Sequence, residues 1–304
     1  MALKIHRSTD PIEVSQLKLM LYGQPGAWKS SVAFTAASPV MLDFDGGAHR
    51  SAYRQDIVRI QNWDDVNSIT AEDLAPYKTV ILDTVGRALD YLAASLVAEN
   101  PKLGKKTGGL TLPGFGELKS SFASWVGRLN TLGKDVVMIA HDKESTNERD
   151  IKIVRPDITG GTYNEVFKLA DAVGYMYLDG KRHMLDFNPT ENYVGKNPAQ
   201  LDVLEVPQNM TSDFLAGHIA SVKAALGQIS AEGQKIIKAV DEFRDRIQKL
   251  DKAEDLTTET LAAGHLTEPL RSQCGAVVKA RGEELGLEFD RKAKAWKAKE
   301  QAAA

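Results

Sequence analysis

Leu17-Lys18-Leu19-Met20-Leu21-Tyr22-Gly23-Gln24-Pro25-Gly26-Ala27-Trp28-Lys29-Ser30-Ser31 is the stretch on which the reading of this chain turns. Leu17–Tyr22 is an apolar run and reads as a buried strand. A glycine loop follows, then Lys-Ser, then the apolar, helix-compatible Val32–Ala37. That order is the context in which a P-loop match acquires physical content. Backbone N–H groups of such a loop turn inward to cradle phosphate oxygens. The positive end of the following helix faces the same point. The match assigns Gly23 and Gly26 to the loop, Lys29 to the β- and γ-phosphates, Ser30 to Mg²⁺, and Ser31 to the same cofactor-binding edge. The usual pattern has glycine directly before the lysine, where this chain has Trp28. The substitution requires ordinary Trp28 dihedrals and a ring turned away from the phosphates. The competing reading is a Gly-Pro turn with an incidental Lys-Ser.

The chain's 304 residues suit one large domain, or one domain plus an extension. Its 43% hydrophobic content supports a sizeable core, and its net charge of −3 confines any nucleic-acid site to a local patch. Cys274 is the single cysteine, which excludes an intrachain disulfide framework and a multi-cysteine zinc site and fits a reducing cytoplasm. No signal core opens the chain, and no segment reaches the roughly 18 apolar residues of a membrane span. The expectation is a soluble, cytoplasmic protein without a membrane partner.

Outward from the opening stretch, residues 1–15 read as an arm and 16–226 as a core. Pro39–Asp43, Asp56–Ile60, Lys78–Asp83, Asp135–Ala140 and Ala172–Leu178 read as strands, and His183–Phe187 and Asn192–Val194 as short ones. Trp63–Leu74, Val85–Ala98, Glu117–Leu132 and Ser212–Leu226 read as helices. Asn100–Gly116 holds five glycines and three lysines and reads as an exposed, mobile loop. Asp142–Thr162 reads as a second polar loop. From Gly227 Ala, Lys, Glu and Asp dominate, strands disappear, and 227–304 reads as a helical, charged extension. Its last basic run, Arg291–Lys299 with Trp296, either touches DNA or is a frayed helix, the latter being the default. Alternating strands and helices predict an α/β, doubly wound, mostly parallel sheet.

Ligands bind at the carboxyl ends of such strands, where the glycine loop, Asp43, Asp45, Asp83 and His141 all lie. Asp83 reads as a Mg²⁺ carboxylate beside Ser30, with a helix N-cap as the competing reading. Asp45 reads as the base for an attacking water, against ordinary turn chemistry before Gly46-Gly47. His141 reads as a γ-phosphate sensor, against a strand-end histidine satisfied by a neighbour.

The succession Gly23–Ser31, MLDFDGG, VILDT, helix, lysine-glycine loop, helix, MIAHD and polar loop resembles the RecA-like recombinase core. More closely it resembles the phage-encoded RecA-like ATPases of the Sak type, over about Leu17 to Leu226. The resemblance implies a P-loop NTPase core using ATP and Mg²⁺, with Lys29, Asp45, Asp83 and His141 catalytic. Asp45 stands where the family usually has Glu, and His141 where it commonly has Gln. The two loops stand where DNA-binding loops lie, which makes Lys102, Lys105, Lys106, Lys143, Arg149, Lys152 and Arg155 the DNA-binding residues. Lys196 stands where a basic residue reaches a neighbouring subunit's nucleotide. The implied function is an ATP-hydrolysing phage recombination protein, assembled as a filament or ring, that binds single-stranded DNA and promotes annealing or strand exchange. A single-strand-binding or replication protein is a further implied partner. Trp28 and the helical tail motivate the alternative, a nucleotide-gated adaptor or helicase-loader-like module with weak ATPase activity.

Overall fold

A computed structural model describes residues 14–146, 152–159, 161–268 and 270–298. The arm expected over 1–15 lies largely outside the described residues, as does Arg149. Contacts divide the chain between Leu226 and Gly227 into two units.

The first unit runs β1 (Lys18–Gly23), α1 (Lys29–Ala33), β2 (Pro39–Asp43), β3 (Asp56–Arg59), α2 (Trp63–Ser68), α3 (Ala71–Leu74), β4 (Thr79–Asp83), α4 (Val85–Glu99), α5 (Leu112–Thr131), β5 (Asp135–Thr146), β6 (Lys152–Pro156), α6 (Thr162–Leu169), β7 (Ala172–Asp179), β8 (Arg182–Asp186) and β9 (Leu204–Val206), and ends in the first part of α7 (Phe214–Ile247). The sheet order is β3-β2-β4-β5-β1-β7-β8-β9, with β6 attached to β5. The six strands from β3 to β7 are parallel; β8 and β9 extend the sheet antiparallel. This is the doubly wound, mostly parallel α/β sheet expected. In register, Gly23 faces His141 and Asp43 faces Asp83, so the polar ends of four strands converge at one edge.

The strand sequences are apolar on both sides because both faces are covered. Met20, Tyr22, Val80, Leu82, Val136 and Met138 point to one face, where Leu89 and Leu92 of α4 and Phe122 and Val126 of α5 close the core. Leu19, Leu21, Ile81, Val137 and Ile139, one residue out of step, meet Val32 of α1 and Leu215, Ile219 and Val222 of α7. Each such side chain contributes about 1.5–3 kcal/mol on burial. Asp135 fixes the entry of β1: it accepts from the Leu17 N–H at 2.7 Å and pairs with Lys223 at 2.7 Å.

Several local expectations are corrected. Trp63–Leu74 is two short helices, each started by its own capping box, Asn62 with Asp65 and Thr70 with Asp73. In Asn100–Gly116, a 3-10 turn at Pro101–Leu103 and a tight turn over Lys105–Gly109 lead directly to Thr111, which caps α5 through Gly114 N–H. Asp142–Thr162 is chiefly a hairpin: β5 runs on to Thr146 and pairs antiparallel with β6.

The second unit contains the remainder of α7, then α8 (Ala253–Gly264), α9 (Leu270–Glu284), β10 (Leu287–Asp290) and β11 (Ala295–Ala298). Val240, Phe243 and Ile247 of α7 pack with Leu256, Ala263, Cys274, Val278 and Trp296. The expectation that strands end after Gly227 fails here, since β10 and β11 pair antiparallel. Over Arg291–Ala298 the basic run is therefore turn and strand, not a frayed helix; Lys299 lies outside the described residues. Among the described residues no helix is long and apolar enough to cross a membrane.

Candidate functional site

The glycine loop leaves β1 at Gly23, where a Cβ would stand 2.0 Å from the Met176 carbonyl oxygen of β7; only glycine fits there. Gly26 turns the chain with φ +84. Trp28 does not have the ordinary dihedrals expected of it. It holds φ 65 and ψ 20, the left-handed conformation that a glycine would take. That backbone costs a non-glycine residue roughly 1–2 kcal/mol. The indole stacks on the His183 ring of β8, centroids 3.7 Å apart and planes 13° from parallel, which offsets much of the cost. Burial lowers the His183 pKa, so a neutral imidazole faces the indole at pH 7. The helix after the loop, α1, spans only five residues, so the dipole expected at its start is that of little more than one turn.

Lys29 is 7% exposed, and its ammonium donates to the carbonyls of Gly23 at 2.6 Å and Gln24 at 2.8 Å. Burial lowers its pKa, while Asp83 and Asp142 oppose the shift. Ser30 Oγ donates to Asp83 Oδ2 at 2.5 Å. Burial raises the Asp83 pKa, the Ser30 hydrogen bond opposes this, and the neighbouring carboxylates Asp45 and Asp43 add to the rise. The Asp83 side chain accepts from Ser30, and Thr84, not Asp83, stands at the N-cap of α4, where it makes no side-chain cap. The Ser31 hydroxyl accepts from Ala52 N–H at 3.1 Å and so ties the following segment to the loop.

Asp43 and Asp45 separate cleanly. Asp43 is buried and accepts from Gly47 N–H at 3.1 Å and Ala48 N–H at 3.2 Å, which holds the turn. Asp45 points into the cleft, with His141 Nε2 at 3.8 Å and Arg87 Nε at 3.7 Å. The neighbouring His141 holds its carboxyl below the usual range, aided by Thr84 and Arg87 against burial. Lys29, Ser30, Asp45, Asp83 and His141 line one cleft of about 400 Å³ together with Arg50 and Ser51. Arg50 and Arg87 were not read from the sequence. The signals available were their places just after the Gly46-Gly47 turn and just after the Asp83 strand.

No group of three or more His, Cys, Asp or Glu able to hold a metal occurs among the described residues. A hydroxyl paired with one carboxylate is instead the donor set for Mg²⁺ that keeps waters and phosphate oxygens as its other ligands. The buried Lys29 amine, bound only to carbonyls at the cleft floor, and the buried Asp83 carboxyl fit a phosphate-bound cation.

The other expected residues lie elsewhere. Lys102, Lys105 and Lys106 are exposed, with no ion pair among the described residues. On the hairpin, Lys143 pairs with Asp157 at 3.6 Å and Lys152 with Glu144 at 3.3 Å, while the Arg155 guanidinium lies 4.9 Å from the Tyr163 ring centre. Lys196 donates to the Phe167 and Ala170 carbonyls at 2.6 and 2.9 Å, closing the end of α6, so its ammonium is engaged within its own chain.

Residues 15–199 match the model of a family described as an AAA domain. The chain is also similar to a solved KaiC-like protein from the hyperthermophilic archaeon Pyrococcus horikoshii, with 11% identity, a TM-score of 0.35, and coverage of 63% of this chain and 89% of that one. No curated protein matches the chain.

Proposed function

The chain belongs to the AAA domain family, and we propose that its RecA-like P-loop ATPase core binds ATP with Mg²⁺, hydrolyses it, and couples its nucleotide state to a grip on single-stranded DNA. The observation that carries the nucleotide reading is the Ser30–Asp83 hydrogen bond beside buried Lys29. Ser30 and Asp83 would hold Mg²⁺, which neutralises charge on the phosphate oxygens. Lys29 exchanges its two carbonyl partners for β- and γ-phosphate oxygens. Asp45 stays ionised because His141 and Arg87 face it, so it accepts a hydrogen bond from the attacking water and orients it. A loose phosphoryl-transfer transition state asks for positioning more than for a strong base, which suits a carboxylate of depressed pKa. His141 links Asp45 to the β5–β6 hairpin: β5 enters the hairpin at the next residue, Asp142, and the His141 carbonyl accepts from Asp157 N–H just after β6. Arg50 supplies a further cation at the cleft wall.

For the single strand, the turn carrying Lys102, Lys105 and Lys106 offers exposed cations, unpaired among the described residues, for phosphates. The hairpin cations are partly committed to acids, so the turn is the stronger contact. Recombination by annealing or strand exchange, in a filament or ring, is the corresponding biological role. Binding of a labelled single strand by the full chain, with and without ATP, tests this reading. ATP-dependent binding that Lys29→Ala makes ATP-independent, and that Lys105→Ala/Lys106→Ala weakens, supports it. Nucleotide binding with no effect on DNA overturns the coupling and favours the adaptor reading that Trp28 motivates.

A further inference from the structure

The nucleotide cleft and the lysine turn both lie in the first unit. In the second unit α8 and α9 are consecutive packed helices joined by a short turn, and the β10–β11 hairpin follows α9 closely. The hairpin is firmly anchored. Trp296 is 8% exposed, and its ring lies over Gly282 of α9, where a Cβ would come within 2.2 Å of it. Its backbone and indole N–H groups donate to the Thr257 and Thr260 hydroxyls of α8 at 2.9 and 2.8 Å. The Phe289 ring meets it edge-on at 5.4 Å.

That anchoring presents Arg291-Lys292-Ala293-Lys294 as an exposed tip. Arg291, Lys292 and Lys294 make no ion pair among the described residues. Elsewhere in the unit cations are largely matched: Lys238 pairs with Glu242, Arg244 with Asp241, Arg246 with Glu259, Arg271 with Glu268, Lys279 with Glu283 and Arg281 with Glu284. A solvated helix surface that balances its own charges is ordinary, whereas three unmatched cations on a rigid tip are an electrostatic footprint for an anionic polymer. Ser272, Gln273, Ala276, Lys279 and Ala280 of α9 are exposed; Gln273, Ala276 and Ala280 line an open groove with Arg244 and Gln248 of α7. Small side chains allow close approach, and polar ones of this kind are able to hydrogen-bond to base edges. A groove of about 440 Å³ lies between this helix and the hairpin, bringing Lys279 and Arg291 to one wall system with Glu283 and Glu288.

We propose that the second unit is a duplex-DNA-binding module of the helix-turn-helix kind, with α9 in the major groove and the β10–β11 tip on the adjacent phosphates. The tip positions the module and α9 reads the bases. This role is separate from single-strand binding by the core and does not depend on it.

The test is binding of the full chain to a mixed-sequence duplex of about 30 base pairs, and to one of its strands alone, titrated between about 50 and 200 mM salt. Arg291→Ala/Lys292→Ala/Lys294→Ala is expected to weaken duplex binding about 10- to 100-fold and to reduce the slope of log K against log salt by about 2–3. Gln273→Glu, which sets a carboxylate against the groove, is expected to weaken duplex binding without changing single-strand binding. Wild-type affinity in both variants overturns the proposal. So does equal loss on duplex and single strand, which would assign the tip to the single strand, or a protein partner lost with the tip while duplex binding is intact. Lys29→Ala removes ATP turnover but leaves this duplex affinity unchanged, so failure of the nucleotide reading and failure of this one give different results.

Discussion

The glycine loop and the basic hairpin each use a tryptophan to hold lysines in place, yet they handle charge in opposite ways. In the loop, Trp28 stacks on His183 in a left-handed backbone, and the neighbouring Lys29 is buried and bound to carbonyls. In the hairpin, Trp296 is packed into the unit's core, Lys297 beside it pairs with Glu288 and Asp290, and Arg291, Lys292 and Lys294 at the tip are exposed with no ion pair among the described residues. A desolvated cation with fixed acceptors demands one ligand geometry and is weakly screened. Exposed cations attract any polyanion and lose strength with salt. One fold thus contains a stringent site and a permissive one.

The largest expected break in this comparison is Lys29→Ala. Removing this desolvated cation from the cleft should lower ATP turnover by about 10³-fold, with little recovery at low salt, in a steady-state phosphate-release assay. Next is Asp45→Asn, which keeps the shape of the cleft but not the charge that orients water. It should cost about 10²-fold in kcat with a small change in KM. Trp296→Ala sharpens the other side. It empties the hairpin's anchor and should destabilise the second unit by about 3–5 kcal/mol, seen as its earlier loss in a denaturant melt while ATP turnover persists.

Smaller effects follow from the buried acid. Because burial raises the Asp83 pKa, its carboxyl costs stability that is fully present above the folded-state pKa, shrinks as pH falls below that value, and vanishes only below the unfolded-state pKa. Asp83→Asn should therefore raise the melting temperature of the nucleotide-free protein by about 2–4 °C at pH 7 while abolishing Mg²⁺-dependent turnover. The gain should disappear in acid. Smallest is Trp28→Gly. It relieves a left-handed backbone and removes a ring stack, two terms of similar size, so stability should change by less than about 1 kcal/mol in a melt.

The same contrast explains what the sequence made legible. Apolar runs ending in Asp43, Asp83 and His141 announce parallel strands, because strands buried on both faces leave no polar alternation and place their chemistry at one end. Arg50 and Arg87 carried no such mark; Arg50 lines the cleft and Arg87 pairs with Asp45 only through the turn and the helix start that position them. Ala295-Trp296-Lys297-Ala298 reads as helix by composition, since Ala and Lys favour helices. Packing of Trp296 on Gly282 and its hydrogen bonds to α8 instead hold it in a strand. Local propensity lost to tertiary contact, as it also did where the polar run after His141 continued β5 into a hairpin. The dihedrals of Trp28 were not readable at all, because a stacking partner more than a hundred residues away stabilises them.

The most direct measurement is ATP hydrolysis at fixed protein concentration, with and without single-stranded DNA, in wild type and Lys29→Ala. The account predicts Mg²⁺-dependent turnover that DNA stimulates and that the substitution removes. Turnover that survives Lys29→Ala, or a wild type that binds ATP and never hydrolyses it with or without DNA, would contradict it.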